Sequence, residues 1–432
     1  MTTSSSRRNF LKSSTLAAAG FMIVPRHVLG GPGYLAPSDE ITLGFIGLGR
    51  QGKGLGNRFA KLAGCRILAG SDVDATKQDR FLKLTNEAYA ESRGQTNYQA
   101  CTRHRDFEEV LGREDIDAVV IATPDHWHGV QGVMAMKAGK DVYLEKPLTL
   151  TVKEGQALVK AADKYERVFQ TGSMQRSREN FLHACELVRN GYIGDIKEVL
   201  VCVGGGPPSP CELPTLDPKR DIDWDKWIGP ASYRGYHDDL APPIPEQFWP
   251  RWRHYSEFGG GMISDWGAHM FDIAQWGLGM DGSGPVRLEP LSTGEKPEML
   301  LTYTNGIPMK QTDFGRGNAV RFIGSEGTID ISRSFLETTP ANLKDHQLSD
   351  NEIRLYRSEN HYEDWLQAIR NRTQPICDVR TGHSSATVCN ITNIAYALNR
   401  PLDWNPDKEK FVKDKEANAM LSRPIRGDWK LR

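Results

Sequence analysis

From residue 41 onward the chain alternates short apolar runs with longer segments whose apolar positions recur every three or four residues. Ile41 to Ile46 reads as a strand, and the stretch from there to about Ala63 as a helix. "CRILAGSDVD" predicts a second strand, and the unbroken apolar run Ala118 to Ala122 a strand buried on both faces. "HGVQGVMAMKAGK" predicts a helix stopped by Gly139, and "DVYL" a strand that delivers Glu145, Lys146 and Pro147 at its carboxyl end. "VKEGQALVKAADKYE" then reads as a helix and "VFQTGS" as a further strand. Strands and helices alternating at these lengths predict a doubly wound parallel sheet of the Rossmann type. Ligands bind outside the carboxyl ends of the strands in such sheets, so topology alone brings Lys146 near a bound ligand.

The first strand-to-helix turn sharpens that expectation. Gly47, Gly49 and Gly52 form G-x-G-x-x-G between a strand and a helix, and Asp72 follows Gly52 by 20 residues at the end of the second strand. Gly47 allows the tight turn, Gly49 lets backbone approach a pyrophosphate, and Gly52 lets helix and strand pack closely. Free N–H groups at the helix start suit the phosphates. Asp72 suits ribose hydroxyls and repels a 2′-phosphate, which favours NAD over NADP.

At 432 residues the chain exceeds one ordinary core, so two domains are expected. A hydrophobic share of 39% with 25% charged residues is that of a soluble globular protein, and a net charge of -1 argues against a nucleic-acid binder. The seven cysteines stand singly, without CxxC pairs, so neither a disulfide framework nor a zinc finger is expected. The N-terminus differs in kind. Arg7-Arg8 followed by a short apolar run, Leu16 to Val24, resembles a twin-arginine export signal and is too short to span a membrane. The expected organisation is a signal at 1–34, a nucleotide-binding domain at 38–173 and a catalytic domain at 174–432, with a periplasmic or otherwise exported location and no membrane association after export.

Further along, Asp265, His269, Asp272 and Trp276 recur at i, i+4, i+7 and i+11, one stripe of a single predicted helix. Two readings stand side by side on spacing alone. His269 is a hydrogen-bonded buried histidine with Asp265 as a helix-entry cap, or the stripe is an acid/base site. His126 and His128 form H-x-H on a predicted loop without a third ligand, so no metal site is assigned.

The fingerprint, "ATPDHWH" at 122–128, "EKP" at 145–147, "GGGMISDWGAHMFD" at 259–272 and "GSEGTI" at 324–329 together resemble the Gfo/Idh/MocA oxidoreductases. The resemblance covers nearly everything after residue 40, and the ending "ANAMLSRPIRGDW" resembles an exported bacterial subgroup. It implies a second, α+β domain on an open, mostly antiparallel sheet. The sequence permits this: "GYIGDIKEVLVCVGGG" fits its first strand, "PEMLLTYTNGIPMKQTDFG" a hairpin around Asn305-Gly306, and "AVRFIGSEGTIDIS" a strand pair. It also implies an NAD-dependent enzyme acting on a hydroxyl of a sugar, polyol or glycoside, or a redox-neutral NAD-dependent glycosidase with tightly held cofactor.

In that scheme His269 is the general acid/base, Lys146 stabilises the oxyanion and relays the proton, and Asp265 binds the hydroxyl. The expected cofactor contacts are Gly47, Gly49, Arg50, Gln51, Gly52, Asp72, Thr123, Pro124, His126, His128, Glu145, Lys146 and Gln175. Arg176, Tyr236, His254, Tyr255 and Asp272 are expected on the substrate side. The aromatic run "FWPRWRHY" suits either stacking on a sugar ring or packing between domains. A carbohydrate substrate and a homo-oligomer are the expected partners.

Overall fold

The computed structural model describes residues 40–93 and 101–431. The twin-arginine segment lies outside the described residues.

The first sheet holds β1 (Ile41–Ile46), β2 (Cys65–Ser71), β3 (Thr102–His104), β4 (Ala118–Ile121), β5 (Asp141–Leu144) and β6 (Phe169–Thr171), in the order β3-β2-β1-β4-β5-β6. Its registered pairs are parallel. All four residues of β4 and of β5 are buried, because helices cover both faces. The strand order reverses direction between β1 and β4, which opens a crevice at their carboxyl ends. Helix Val152–Tyr165 starts with a reciprocal cap between Thr151 and Glu154, which fixes the chain leaving Pro147.

The second sheet has nine strands in the order β13-β12-β11-β7-β10-β9-β8-β14-β15. These are β7 (Ile196–Cys202), β8 (Pro285–Ser292), β9 (Glu298–Tyr303), β10 (Pro308–Gln311), β11 (Ala319–Gly324), β12 (Thr328–Ile331), β13 (Leu336–Thr339), β14 (Leu402–Asn405) and β15 (Lys410–Phe411). Only β7 with β10 is parallel; the other registered pairs are antiparallel. The β9–β10 hairpin turns at Asn305-Gly306, where Gly306 has φ 80°, and β11 with β12 is the strand pair around "GSEG".

Alternate residues of these strands, such as Val199, Val201, Leu301, Met309 and Phe322, face helices Glu179–Arg189, Gly267–Leu278 and Val379–Leu398 in one continuous core. Helix Val379–Leu398 also joins the two layers. Val379 and Ala386 belong to the core of the first sheet, while Val388, Cys389 and Ile391 belong to that of the second. A side chain at Gly382 would stand 2.0 Å from Thr171 Oγ1, so that glycine sets how closely the helix approaches β6.

Candidate active site

The crevice begins at the glycine turn. Gly47 has φ +85° and its N–H donates to Ser71 O at 2.8 Å, tying β1 to β2. A Cβ at Gly52 would lie 1.9 Å from Gly47 O, so only glycine permits this packing of helix on turn. A Cβ at Gly49 meets nothing within 4 Å, because Gly49 faces open cleft. Gly49 is also the N-cap of helix Arg50–Phe59, whose first turn has no side-chain cap and no acidic residue. The free amides and positive helix end are thus left for an anion. Asp72 accepts from the Leu48 amide at 2.7 Å and the Asp74 amide at 2.9 Å. Burial raises its pKa against the pull of Lys77 and these amides. The cleft is lined by Arg50, Gln51 and Asp72 and by Trp227, Trp249, Trp252 and Arg253. A bare glycine turn, an uncapped helix start and a ribose-height carboxylate fit a dinucleotide.

Two segments of the second half close this cleft. Asp223 N–H donates to Val73 O at 2.9 Å, Ala75 N–H donates to Asp221 O at 3.0 Å, and Arg220 pairs with Asp74 at 2.7 Å. Farther along, Glu246 pairs with Arg80 at 2.6 Å, and the Arg50 guanidinium lies 4.7 Å from the centre of the Trp249 ring.

Beyond the cleft wall stands the acid/base cluster. The Lys146–Pro147 bond is cis, and Lys146 Nζ donates to Asp265 O at 2.8 Å and Oδ1 at 2.9 Å. An ammonium has three N–H groups, so one remains for a ligand. Burial opposes ionisation of Asp265, but Lys146 and Arg253 outweigh it and hold the carboxyl far below its usual range. His269 is 2% exposed, and its Nδ1 has no partner. Burial, then Lys146 and Arg333, push its pKa well below the ordinary value, so the ring is neutral at neutral pH. Glu145 joins this cluster to the cleft, accepting from Gln51 Nε2 at 2.7 Å and from the Lys146 amide at 3.2 Å. Such an arrangement can hold a hydroxyl between an ammonium donor and a neutral imidazole.

Two profiles match the chain: "Oxidoreductase family, NAD-binding Rossmann fold" over residues 41–173, and "Oxidoreductase family, C-terminal alpha/beta domain" over 211–431. The chain belongs to the Gfo/Idh/MocA family of oxidoreductases. A glycosyl hydrolase family 109 protein of Shewanella pealeana is 30% identical over 205 residues, covering 44% of this chain and 44% of its own length. A second such protein, from Shewanella sp. strain ANA-3, is 31% identical over 207 residues, again covering 44% of each. The match therefore spans under half the length of these curated relatives. Among solved structures, aldose-aldose oxidoreductase from Caulobacter crescentus, complexed with glycerol, aligns with TM-score 0.58 and 19% identity, over 84% of this chain and 99% of that one. Levoglucosan dehydrogenase, in complex with NADH and levoglucosan, aligns with TM-score 0.57 and 17% identity over the same shares. These two likenesses are of fold.

The Gfo/Idh/MocA motifs sit partly where the sequence predicts. The single helix expected for Asp265 to Trp276 is broken: helix Gly261–Asp265 ends at Trp266, and helix Gly267–Leu278 starts there. The break lets Asp265 point its carbonyl and its carboxylate at Lys146, which an uninterrupted helix would not allow for the carbonyl. Asp272 is not a substrate ligand. It is fully buried, grips Arg176 through both oxygens and accepts from Ser385 at 2.6 Å. Arg176, equally expected on the substrate side, also donates from Nη1 and from the shared Nη2 to Asp281. This is an ion-paired tie between the end of β6 and the second layer.

His126 and His128 lie on helix Asp125–Lys137, not on a loop, and neither lines the cleft. His126 is packed against Trp227 and Phe258, with Nε2 at 3.0 Å from Trp227 O, and burial pushes its pKa down to about 3. His128 lies between Pro147 O at 2.8 Å and Thr123 O at 2.9 Å. Burial pushes its pKa down to about 4, so the neutral ring donates to one of them at a time. Thr123 and Pro124 do line the cleft.

Tyr236 is also misassigned: it is buried, and its hydroxyl is shared by Arg220 and Asp238. Tyr255 packs beside the aromatic cluster of Trp227, Trp252 and Phe258. His254 keeps an exposed edge, while partial desolvation by its neighbours and then Arg253 lower its pKa against the field of Asp265. Gln175, expected among the cofactor contacts, is fully buried beside Arg333 and does not line the cleft.

Three residues escaped the sequence reading. Asp125, 2% exposed, has its pKa raised well above the usual carboxyl value by burial and then by Asp265. Its signal was a carboxylate opening an apolar helix. Arg253 stacks on Trp249 and Trp252 and reaches Asp265 at 3.5 Å. Its signal was an arginine set between tryptophans. Arg333, on the β12–β13 turn, gave none, because its neighbours are remote in sequence.

Proposed function

We propose that this chain is an NAD-dependent oxidoreductase acting on a hydroxyl of a sugar, polyol or glycoside. The observation that carries the reading is the meeting of Lys146, Asp265 and neutral His269 beside a cleft that fits a dinucleotide. NAD, held by the Gly47–Gly52 turn and Asp72, would supply a hydride acceptor. His269 takes the hydroxyl proton, as a neutral imidazole can. The third N–H of Lys146 holds the oxygen and stabilises its developing negative charge. Asp265, kept ionised, fixes the direction of that N–H. The Asp72 carboxylate supports NAD over NADP, because a 2′-phosphate beside it would meet like charge.

A second reading is a redox-neutral glycoside hydrolase. In it the hydroxyl is oxidised, the glycosidic group leaves by elimination, water adds and the ketone is reduced again. The relatives named glycosyl hydrolase family 109 proteins favour it. So does the clasp of Arg220 and Glu246 across the cleft, which suits a retained cofactor. An exported, homo-oligomeric enzyme completes the proposal. Outside the cytoplasm no free NAD pool exists, so retention has a purpose there.

The test is to incubate the purified protein with aryl glycosides and NAD. Aglycone release without reduced nicotinamide favours hydrolysis, stoichiometric reduced nicotinamide favours the dehydrogenase, and neither across a broad sugar panel defeats both. Attaching residues 1–34 to a reporter that must fold before export tests the location.

A further inference from the structure

Arg333 is presented to the site with unusual care. Its backbone carbonyl accepts from Arg178 at 3.3 Å, and the carbonyl of Ser332 beside it accepts from Asn180 Nδ2 at 2.9 Å. Ser332 Oγ accepts from the Ser334 amide at 3.1 Å, which tightens the turn around it. The guanidinium carbon lies 4.5 Å from the centre of the Trp266 ring, and Trp266 in turn meets His269 edge-on at 5.8 Å. Nε donates to Gln175 Oε1 at 3.3 Å. Among the described residues no carboxylate pairs with Arg333, and its two terminal nitrogens have no protein acceptor.

Arg333 is exposed at this edge of the site, and contact with the indole and with Gln175 leaves its terminal N–H groups, a fork that matches two oxygens, free for a ligand. Two buried atoms beside it also lack partners: Gln175 Nε2, a donor on a fully buried side chain, and His269 Nδ1. Unpaired buried polar groups point to a polar ligand that completes them.

We infer that the substrate carries a carboxylate, held by the fork of Arg333, and so belongs to the uronic-acid class of sugars or glycosides. The inference rests on the proposed reading of the site as one for carbohydrate hydroxyls. A carboxylate is favoured over a phosphate because one fork matches two coplanar oxygens, and because Asp265 and Glu145 lie within the field of Arg333 and oppose a dianion. Pairing with an anion also offsets the Arg333 charge, which adds to burial and Lys146 in depressing His269.

The test is calorimetry on NAD-loaded protein with matched pairs of methyl hexuronosides and methyl hexosides, glucose 6-phosphate, and the R333Q and R333K variants. Nucleotide content and melting temperature serve as folding controls. A hexuronoside should bind roughly 10- to 100-fold tighter than its neutral partner. R333Q should erase the difference and R333K retain part of it, because it keeps the charge without the fork. Equal or tighter binding of the neutral partner, tighter binding of the phosphate, no hexuronoside binding, or an undiminished preference in R333Q would each overturn the inference. Hexuronosides that bind with this preference yet are neither oxidised nor cleaved would leave it standing and defeat the proposed activity instead.

Discussion

Gly49 and Gly52 lie three residues apart in one motif, yet alanine should fail differently at each. At Gly52 the new methyl would stand 1.9 Å from Gly47 O. An ordinary carbon–oxygen contact is about 3.3 Å, so turn and helix must part by roughly 1.4 Å. Such overpacking costs about 1–3 kcal/mol. At Gly49 the methyl meets nothing within 4 Å, and φ is −62°, a value alanine adopts. Folding stability should then change by no more than about 0.5 kcal/mol. The methyl fills the place where a pyrophosphate must touch backbone, so Gly49→Ala should fold normally and lose the nucleotide. The assay is thermal melting across an NAD series, with nucleotide carried through purification counted by absorbance. Saturating NAD at about 100 times Kd stabilises the wild type by about 2.7 kcal/mol. Gly49→Ala should show the wild-type melt without nucleotide and no shift with it, whereas Gly52→Ala should melt early in both conditions. A Gly49→Ala protein that keeps its nucleotide, or a Gly52→Ala protein as stable as wild type, would refute the reasoning.

Arg176→Leu strands the buried Asp272 carboxylate and should cost about 3–5 kcal/mol in denaturant unfolding, with NAD affinity unchanged. His126→Phe tests acid stability. The folded pKa of about 3 lies below the unfolded value of 6.5, so this contribution is fully present above pH 6.5 and is lost as pH falls below it. The variant should lessen the fall by about 1.4 kcal/mol per pH unit between pH 6 and 4, read from denaturant midpoints. Asp125 has a raised pKa, so the wild type loses stability as pH rises, and Asp125→Asn should gain relative to it from pH 5 to pH 8. The acid limb of kcat/KM should fall below pH 6.5, because His269 stays neutral there; a limb above 6.5 would count against His269 as base.

Much of the fold was legible because its signals are local. Continuous apolar runs report parallel strands buried on both faces, and the glycine spacing reports a turn that no other residue can make. The acid/base pair was legible as residue types, yet its geometry was not. Periodicity assumes one unbroken helix, and Trp266 breaks it, which lets the carbonyl of Asp265 as well as its carboxylate face Lys146. Polar residues on that stripe looked equivalent in sequence, but Asp272 is consumed by Arg176, a partner 96 residues away. His126 and His128 were expected among the cofactor contacts, but burial assigns them to backbone carbonyls. Arg333 joins the site through Gln175 and Trp266, contacts that no local pattern encodes.

The central claim is that His269 moves the substrate proton beside a bound nicotinamide. The most direct measurement is a single turnover of NAD-loaded protein mixed with substrate, followed by the near-ultraviolet absorbance of reduced nicotinamide, in wild type and in His269→Ala. The account predicts a rapid rise in the wild type, a rise slowed roughly 100-fold or more in His269→Ala, and equal nucleotide content in both. An equal rate in the variant would contradict it.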